Sequence, residues 1–209
     1  HFHNDNSLAV LRDIPGLILA VPSNGADAAK MLRECVRLAR EEQRLVVFVE
    51  PIALYPMRDL LDEKDGGWMC VYPAPDERIS LGEIGQHGSG KDLAIVTYGN
   101  GYYLSRQAEV ALAARGIKAR VIDIRWLAPL PEAAILAATD GCDHVLIVDE
   151  CRRTGSQSEA LMALMTEAGQ SPIARVTAED CFIATGPAYA ATLPSAKSIE
   201  EAALRLMQK

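Results

Sequence analysis

Short, uninterrupted apolar runs alternate along this chain with longer stretches of helical periodicity. Residues 17–21 read Leu-Ile-Leu-Ala-Val and stop at Pro22; residues 46–49 read Val-Val-Phe-Val and stop before Glu50-Pro51. Runs this short, and apolar at every position, suit parallel strands covered on both faces. Between them Ala28, Met31, Leu32, Cys35, Val36 and Ala39 recur at helical spacing, while Lys30, Arg33, Arg37 and Arg40 fall mainly on other faces. That is an amphipathic helix, with Ser23 or Asn24 as its cap and Asp27 in its first turn at the positive end of the dipole. A single strand–helix–strand unit cannot cover both faces of its own sheet. More sheet must come from elsewhere.

The second half repeats the alternation and is self-sufficient. Strands are predicted at 93–98, 119–123, 145–149 and 173–176. Helices are predicted at 102–115, from about Pro131, at 156–168 and at 198–207, the last capped by Ser198. Strands and helices in alternation with short turns predict a mostly parallel or mixed open sheet with helices on both faces. The fold class is therefore α/β.

Charge changes the picture in one place. The chain has 209 residues, 49% apolar and 23% charged, with a net charge of −7. Residues 61–90 hold 2 basic and 6 acidic residues together with Gly66, Gly67, Pro73, Pro75, Gly82, Gly85, Gly88 and Gly90. Acid plus turn formers without periodicity reads as a linker. The organisation expected is a partial α/β unit at 1–58, an acidic linker at 59–90 and a second domain at 91–209. The acidic balance argues against nucleic-acid binding through bulk positive charge. No apolar run approaches the ~20 residues of a membrane helix. Five cysteines at scattered positions, without a C-x-x-C pair, suit free thiols in a reducing, cytoplasmic setting. The start at His1, with no Met and no signal-peptide pattern, reads as a processed chain or a fragment.

Three motifs attract attention. Gly85 to Asp92 nearly spells a phosphate loop, but Asp92 stands where Ser or Thr should reach magnesium and a strand follows instead of a helix; a solvated linker is the better reading. Gly99-Asn-Gly101 opens a helix after a strand, with Asp123 ending the next strand, as a dinucleotide fingerprint would. Leu104 replaces its third glycine, and Tyr102 and Tyr103 crowd the backbone. Asp149-Glu150, followed by Cys151-Arg152-Arg153-Thr154, sits at the carboxyl end of a strand, where such sheets place ligands; a salt-bridged rim is the plainer alternative. His1 and His3 lie in a polar segment, and histidine suits proton transfer near neutrality.

Read together, several segments resemble the second half of the β region of the decarboxylating component of 2-oxoacid dehydrogenase complexes, a thiamine-diphosphate-dependent family of the transketolase-like superfamily. They are His3-Asn-Asp-Asn-Ser7, Ile14-Pro15-Gly16-Leu17, and above all Phe48-Val49-Glu50-Pro51 with Leu54-Tyr55. Val121-Ile122-Asp123-Ile124-Arg125 with Pro129, and Val145 to Glu150 followed by Thr154-Gly155, complete a colinear series. The run Thr154-Gly155-Ser156-Gln157 departs from a T-G-G-type pattern, which leaves the role of Glu150 open.

The resemblance implies that 1–58 is the tail of the domain holding the cofactor's aminopyrimidine and that 91–209 is the transketolase-like C-terminal domain. Thiamine diphosphate and magnesium are implied for the full-length enzyme and not tightly bound to these residues, whose sequence has no G-D-G…N-N motif. His3 matches the family histidine lining the active site, for proton transfer or for orienting the lipoyl acceptor; His1 is the weaker candidate. Glu50, Glu150, Arg152, Arg153 and Thr154 are candidates for a partner-binding or active-site rim. Implied partners are a second copy or the α region, and the dihydrolipoyl acyltransferase with its lipoyl domain. The chain alone is expected to be inactive. A deoxyxylulose-phosphate synthase-like enzyme, a docking module and a dinucleotide-binding domain are the alternatives.

Overall fold

The computed structural model describes residues 8–170 and 172–208. It opens with a short helix, α1 (Ala9–Arg12), then strand β1 (Ile18–Ala20), helix α2 (Gly25–Glu41) and strand β2 (Val46–Phe48). Asn24 caps α2 by accepting from the Asp27 backbone N–H at 2.9 Å. A 3-10 turn at Ile52–Leu54 leads into the acidic segment, which ends in strand β3 (Gly85–His87). The rest alternates as expected: β4 (Leu93–Thr97), α3 (Asn100–Ala113), β5 (Ala119–Asp123), β6 (Trp126–Ala128), α4 (Glu132–Thr139), β7 (Val145–Arg152), α5 (Gln157–Glu167), β8 (Ile173–Ala178) and α6 (Ala196–Leu206).

Five strands form one sheet in the order β3-β5-β4-β7-β8, parallel except for β3, which runs antiparallel along β5. Helices α3 and α6 bury Leu112, Ile199, Ala203 and Leu206 against one face of it. The other face carries Ile135 of α4 and Leu161 and Met165 of α5. The α/β class and the mixed open sheet stand as expected. Helix α6 begins earlier than the sequence suggested: Ser195 is its cap, and Ser198, at the third helical position, bonds back to the Ser195 N–H in a capping box.

The second sheet, β2-β1-β6, supplies the strand that the first unit lacked. β1 pairs in parallel with β2 and antiparallel with β6, a three-residue strand directly after the Asp123–Arg125 motif. Strict alternation divides β1 between two cores. Ile18 and Ala20 face α2 together with Met31, Leu38 and Trp126. Leu17, Leu19 and Val21 face the other way, into the core beneath the five-stranded sheet.

The acidic segment is tied down on both sides. Tyr103 donates to the Asp59 carbonyl at 2.9 Å, Gln107 to the Leu60 carbonyl at 2.7 Å, and Trp68 meets the Tyr103 ring edge-on at 4.9 Å. Arg33 on α2 donates to the carbonyls of Pro73, Ala74 and Glu77. The acids themselves organise the loop: Asp65 accepts four backbone N–H groups, from Leu60, Leu61, Asp62 and Gly67, and Asp59 accepts those of Lys64 and Gly66. The phosphate-loop lookalike is no solvated linker: its first three residues are β3. A side chain at Gly90 would collide with the Lys118 backbone, so that glycine serves close packing of β3's exit against β5.

Candidate functional site

The carboxyl ends of the parallel strands in both sheets converge. Val21 follows the end of β1, and Val49-Glu50 follow the end of β2; Tyr98-Gly99 lead from β4 into Asn100 at the start of α3, and Glu150-Cys151 lie near the end of β7. Between them lies a cleft of about 450 Å³, whose lining also includes Leu8, Ile183 and Leu193. The open ends of parallel strands present loops and unpaired backbone groups, which is why α/β sheets bind ligands there.

Two sequence-predicted residues, Glu50 and Glu150, line the same cleft although they are far apart in the chain. Their settings differ. Glu50 is exposed and accepts the Tyr55 hydroxyl at 2.6 Å. Glu150 is half-buried, accepts from Asn100 Nδ2 at 2.7 Å, and is pushed above the usual carboxylate range chiefly by burial. Register between β7 and β8 shifts between Asp149 and Arg152, a bulge at the two residues that line the cleft.

Beneath the cleft sits a closed polar network. Asp149 is fully buried and accepts from the Tyr98 hydroxyl at 2.6 Å, the Cys151 N–H at 2.9 Å and the Ser158 N–H at 2.7 Å. Burial pushes the phenol of Tyr98 and the thiol of Cys151 up, so both stay protonated and Cys151 is no nucleophile. This network positions the β7 end. Tyr98 and Asn100 escaped sequence reasoning because nothing local marks them; only the parallel pairing of β4 with β7 sets them beside Asp149 and Glu150.

The remaining candidates spread outward. Arg152 borders a small recess that shares Glu150 with the main cleft, and its guanidinium lies over the Phe182 ring at 5.9 Å. Arg153 is exposed, and its carbonyl accepts from Arg175 at 3.1 Å. Thr154 turns to Asp180, donating from its N–H at 2.9 Å and its hydroxyl at 2.7 Å. These last two do not line the cleft. His1 and His3 lie outside the described residues.

Asp123 does not present itself to a ribose. It is 1% exposed, with Oδ1 accepting the Arg125 N–H at 3.2 Å, and burial above all raises its pKa to about 7 against the opposing pull of Arg125. Arg125 adopts φ 57°, a left-handed conformation that aims its guanidinium at Asp27 Oδ2, 2.8 Å from Nη2 and 3.0 Å from Nε. Nor does Gly101 wait for a pyrophosphate: a Cβ there would strike the Thr97 hydroxyl, so it lets α3 lie close on β4.

The described residues do not fit thiamine diphosphate with magnesium. The cleft's described lining bears two carboxylates and no basic side chain, which disfavours a diphosphate. Among the described residues no three His, Cys, Asp or Glu side chains gather as a metal site.

Residues 82–199 match the model of the transketolase C-terminal domain. The chain belongs to that family. Over 210 aligned residues it is 27% identical to the pyruvate dehydrogenase E1 component subunit beta of Bacillus subtilis, and 28% identical to that of Staphylococcus aureus, covering 99% of the chain in each case. The chain spans 60% of the length of these relatives. A solved structure described as "Split gene transketolase, inactive beta4 tetramer" superposes with a TM-score of 0.73 at 23% identity, over 96% of this chain and 60% of that one. A transketolase from Pichia stipitis superposes with a TM-score of 0.64 at 16% identity, over 98% and 27% respectively. The resemblance read from the sequence therefore stands, and so does the fold. Among the described residues no helix is long and apolar enough to cross a membrane.

Proposed function

We propose that this chain is the C-terminal part of the β region of a thiamine-diphosphate-dependent 2-oxoacid dehydrogenase decarboxylating component. The observation that carries this reading is colinear similarity to the E1 β subunits over 99% of the chain, at both ends of the acidic segment and not only in the family domain. On this reading residues 1–58 are the tail of the pyrimidine-binding domain and 91–209 the C-terminal domain, joined by 59–90. The missing partner surfaces and cofactor domain belong to the rest of the enzyme, whether a second copy, an α region or both, and the fragment alone is inactive. Apolar side chains exposed at Leu32, Val36, Leu45, Ile52 and Tyr55 support such a covering partner. The C-terminal domain contributes to docking the dihydrolipoyl acyltransferase in the cytoplasm.

In the whole enzyme the cofactor supplies the carbanion chemistry. The contribution of this chain is His3, which handles a proton or orients the lipoyl acceptor, with His1 as the weaker candidate for the same role. The test is His3→Ala in the parent enzyme, followed by substrate-dependent reductive acylation of a lipoyl domain. A fall of about a hundredfold or more is expected of a lost general acid–base; an unchanged rate removes His3 from the chemistry.

A further inference from the structure

A second cavity, of about 370 Å³, is walled by aromatic and sulfur-bearing side chains. Phe48 comes from the end of β2 and Tyr55 from the turn after it; Met57 follows, and Trp68 and Met69 come from the acidic segment. The volume falls within the range of small-ligand sites, ~300–1,000 Å³. Glu50 is the one charged side chain in the described lining. Aromatic faces attract cations, and thioether sulfurs are polarizable partners. A cation whose charge is spread over methyl groups suits such a wall best, because it gives up little hydration on entering it. We propose that this cavity binds a quaternary ammonium group, held by the rings of Phe48, Tyr55 and Trp68 with Glu50 as its counter-charge.

Three features prepare the site. The Tyr55 hydroxyl donates to Glu50 Oε2 at 2.6 Å, which ties the negative charge to one of the rings. Trp68 is set before a ligand arrives: its backbone N–H donates to the Arg58 carbonyl at 2.9 Å, and its ring is backed by Tyr103 at 4.9 Å and Tyr102 at 5.8 Å. The positive charges of α2 near its start are engaged elsewhere. Lys30 pairs with Asp27 at 3.6 Å, and Arg33 lies over the Tyr72 ring at 5.5 Å while donating to the carbonyls of Pro73 and Glu77. The start of α2 itself borders the cavity at Asn24 and Gly25, but Asn24 Oδ1 caps the helix and Asp27 stands in its first turn, which offsets the positive end of the dipole. Glu150 has no part in this lining, and the inference does not need the dehydrogenase reading.

The test is calorimetry of this chain with choline, with its uncharged carbon isostere neohexanol, with the anion tert-butylacetate, and with a short peptide carrying one trimethyllysine. The quaternary ammonium probes should bind about tenfold more tightly than the isostere or the anion. Trp68→Leu should weaken that binding about tenfold and Tyr55→Leu a few-fold, whereas Tyr55→Phe, which keeps the ring and loses only the hydroxyl, should stay near the parent affinity. Melting curves confirm the fold of each variant. If Trp68→Leu does not fold, the Tyr55 pair still decides, because that side chain is 66% exposed and its loss leaves the core untouched. Binding of the peptide would assign the cation to a methylated lysyl side chain; binding of choline alone would assign it to a free quaternary amine. The proposal is overturned if neither cation binds at millimolar concentration, if neohexanol or tert-butylacetate binds equally well, if the folded leucine variants keep the parent affinity, or if Tyr55→Phe loses as much as Tyr55→Leu.

Discussion

The hydroxyl of Tyr98 donates to Asp149 Oδ1 across 2.6 Å in a site closed to solvent, joining the end of β4 to β7. Two backbone N–H groups, from Cys151 and Ser158, complete the shell of that carboxylate. The end of β7 and the start of α5 thus hang on one side chain.

Removing the parts of this shell should give graded losses. Tyr98→Phe takes away one donor and should cost about 1–3 kcal/mol, whereas Asp149→Ala strands three buried donors and should cost about 3–5 kcal/mol. Urea midpoints of the two variants check the order. Equal losses would mean that the tyrosine carries the site.

Gly101→Ala should destabilise by about 1–3 kcal/mol, because the new methyl meets the Thr97 hydroxyl between α3 and β4. The Thr97 hydroxyl is buried and finds no hydrogen-bond partner among the described residues. Thr97→Ala in the same chain should therefore recover much of the loss. A double-mutant cycle measures the coupling, which should be well above the additive error of ~0.5 kcal/mol.

Asp123 gives the protein a pH dependence of unusual sign for a carboxylate. Its folded pKa is raised to about 7, so between the ordinary carboxylate value near ~4 and that pH the folded chain holds a proton that the unfolded chain has lost. Stability from this group is largest near the acid end of the window and falls as pH rises through it. The difference between pH 5 and pH 8 should be on the order of 2 kcal/mol. Asp123→Asn, which keeps the shape, should flatten the profile in denaturation at the two pH values. Asp65 works in the opposite sense: its four N–H bonds hold its pKa below the usual range, so their support is present above pH ~4 and fades as the pH falls further.

Arg33→Ala should loosen one flank of the acidic segment, since it removes donors to Pro73, Ala74 and Glu77. Hydrogen exchange should speed up over 73–79 while 59–68, held by Tyr103, Gln107 and Trp68, keeps its protection. Faster exchange across the whole of 59–79 would show the segment to be one unit.

How far the sequence could be read follows from where each signal resides. The strands 17–21, 93–98 and 145–149 announced themselves because both faces are covered, so every position is apolar. β3 did not, because Gly-Gln-His lies on an edge with Gln86 and His87 exposed. β6 is three residues long, too short for any period, and its partner β1 is more than a hundred residues earlier. The candidate site was half legible: Glu50 and Glu150 each stood at a strand end, but their meeting in one cleft is a property of two sheets, not of either motif. The cap of α6 was missed by three residues because Ser195 and Ser198 both satisfy the local rule, and only the reciprocal bonds decide between them.

β6 has a consequence for how this protein can be recombined. The strand lies within the stretch that matches the C-terminal domain, yet it completes the other sheet and sets Trp126, fully buried, into the core under α2. A hybrid that joins the first unit of one relative to the C-terminal domain of another at the acidic segment would thus import a foreign third strand. Its tryptophan, or whatever stands there, would have to fit a cavity shaped by Met31, Cys35 and Leu38 of the other parent. Compatible grafts must travel with those three positions, so the exchangeable module is a packing group drawn from both sides of the junction and not a contiguous length of chain.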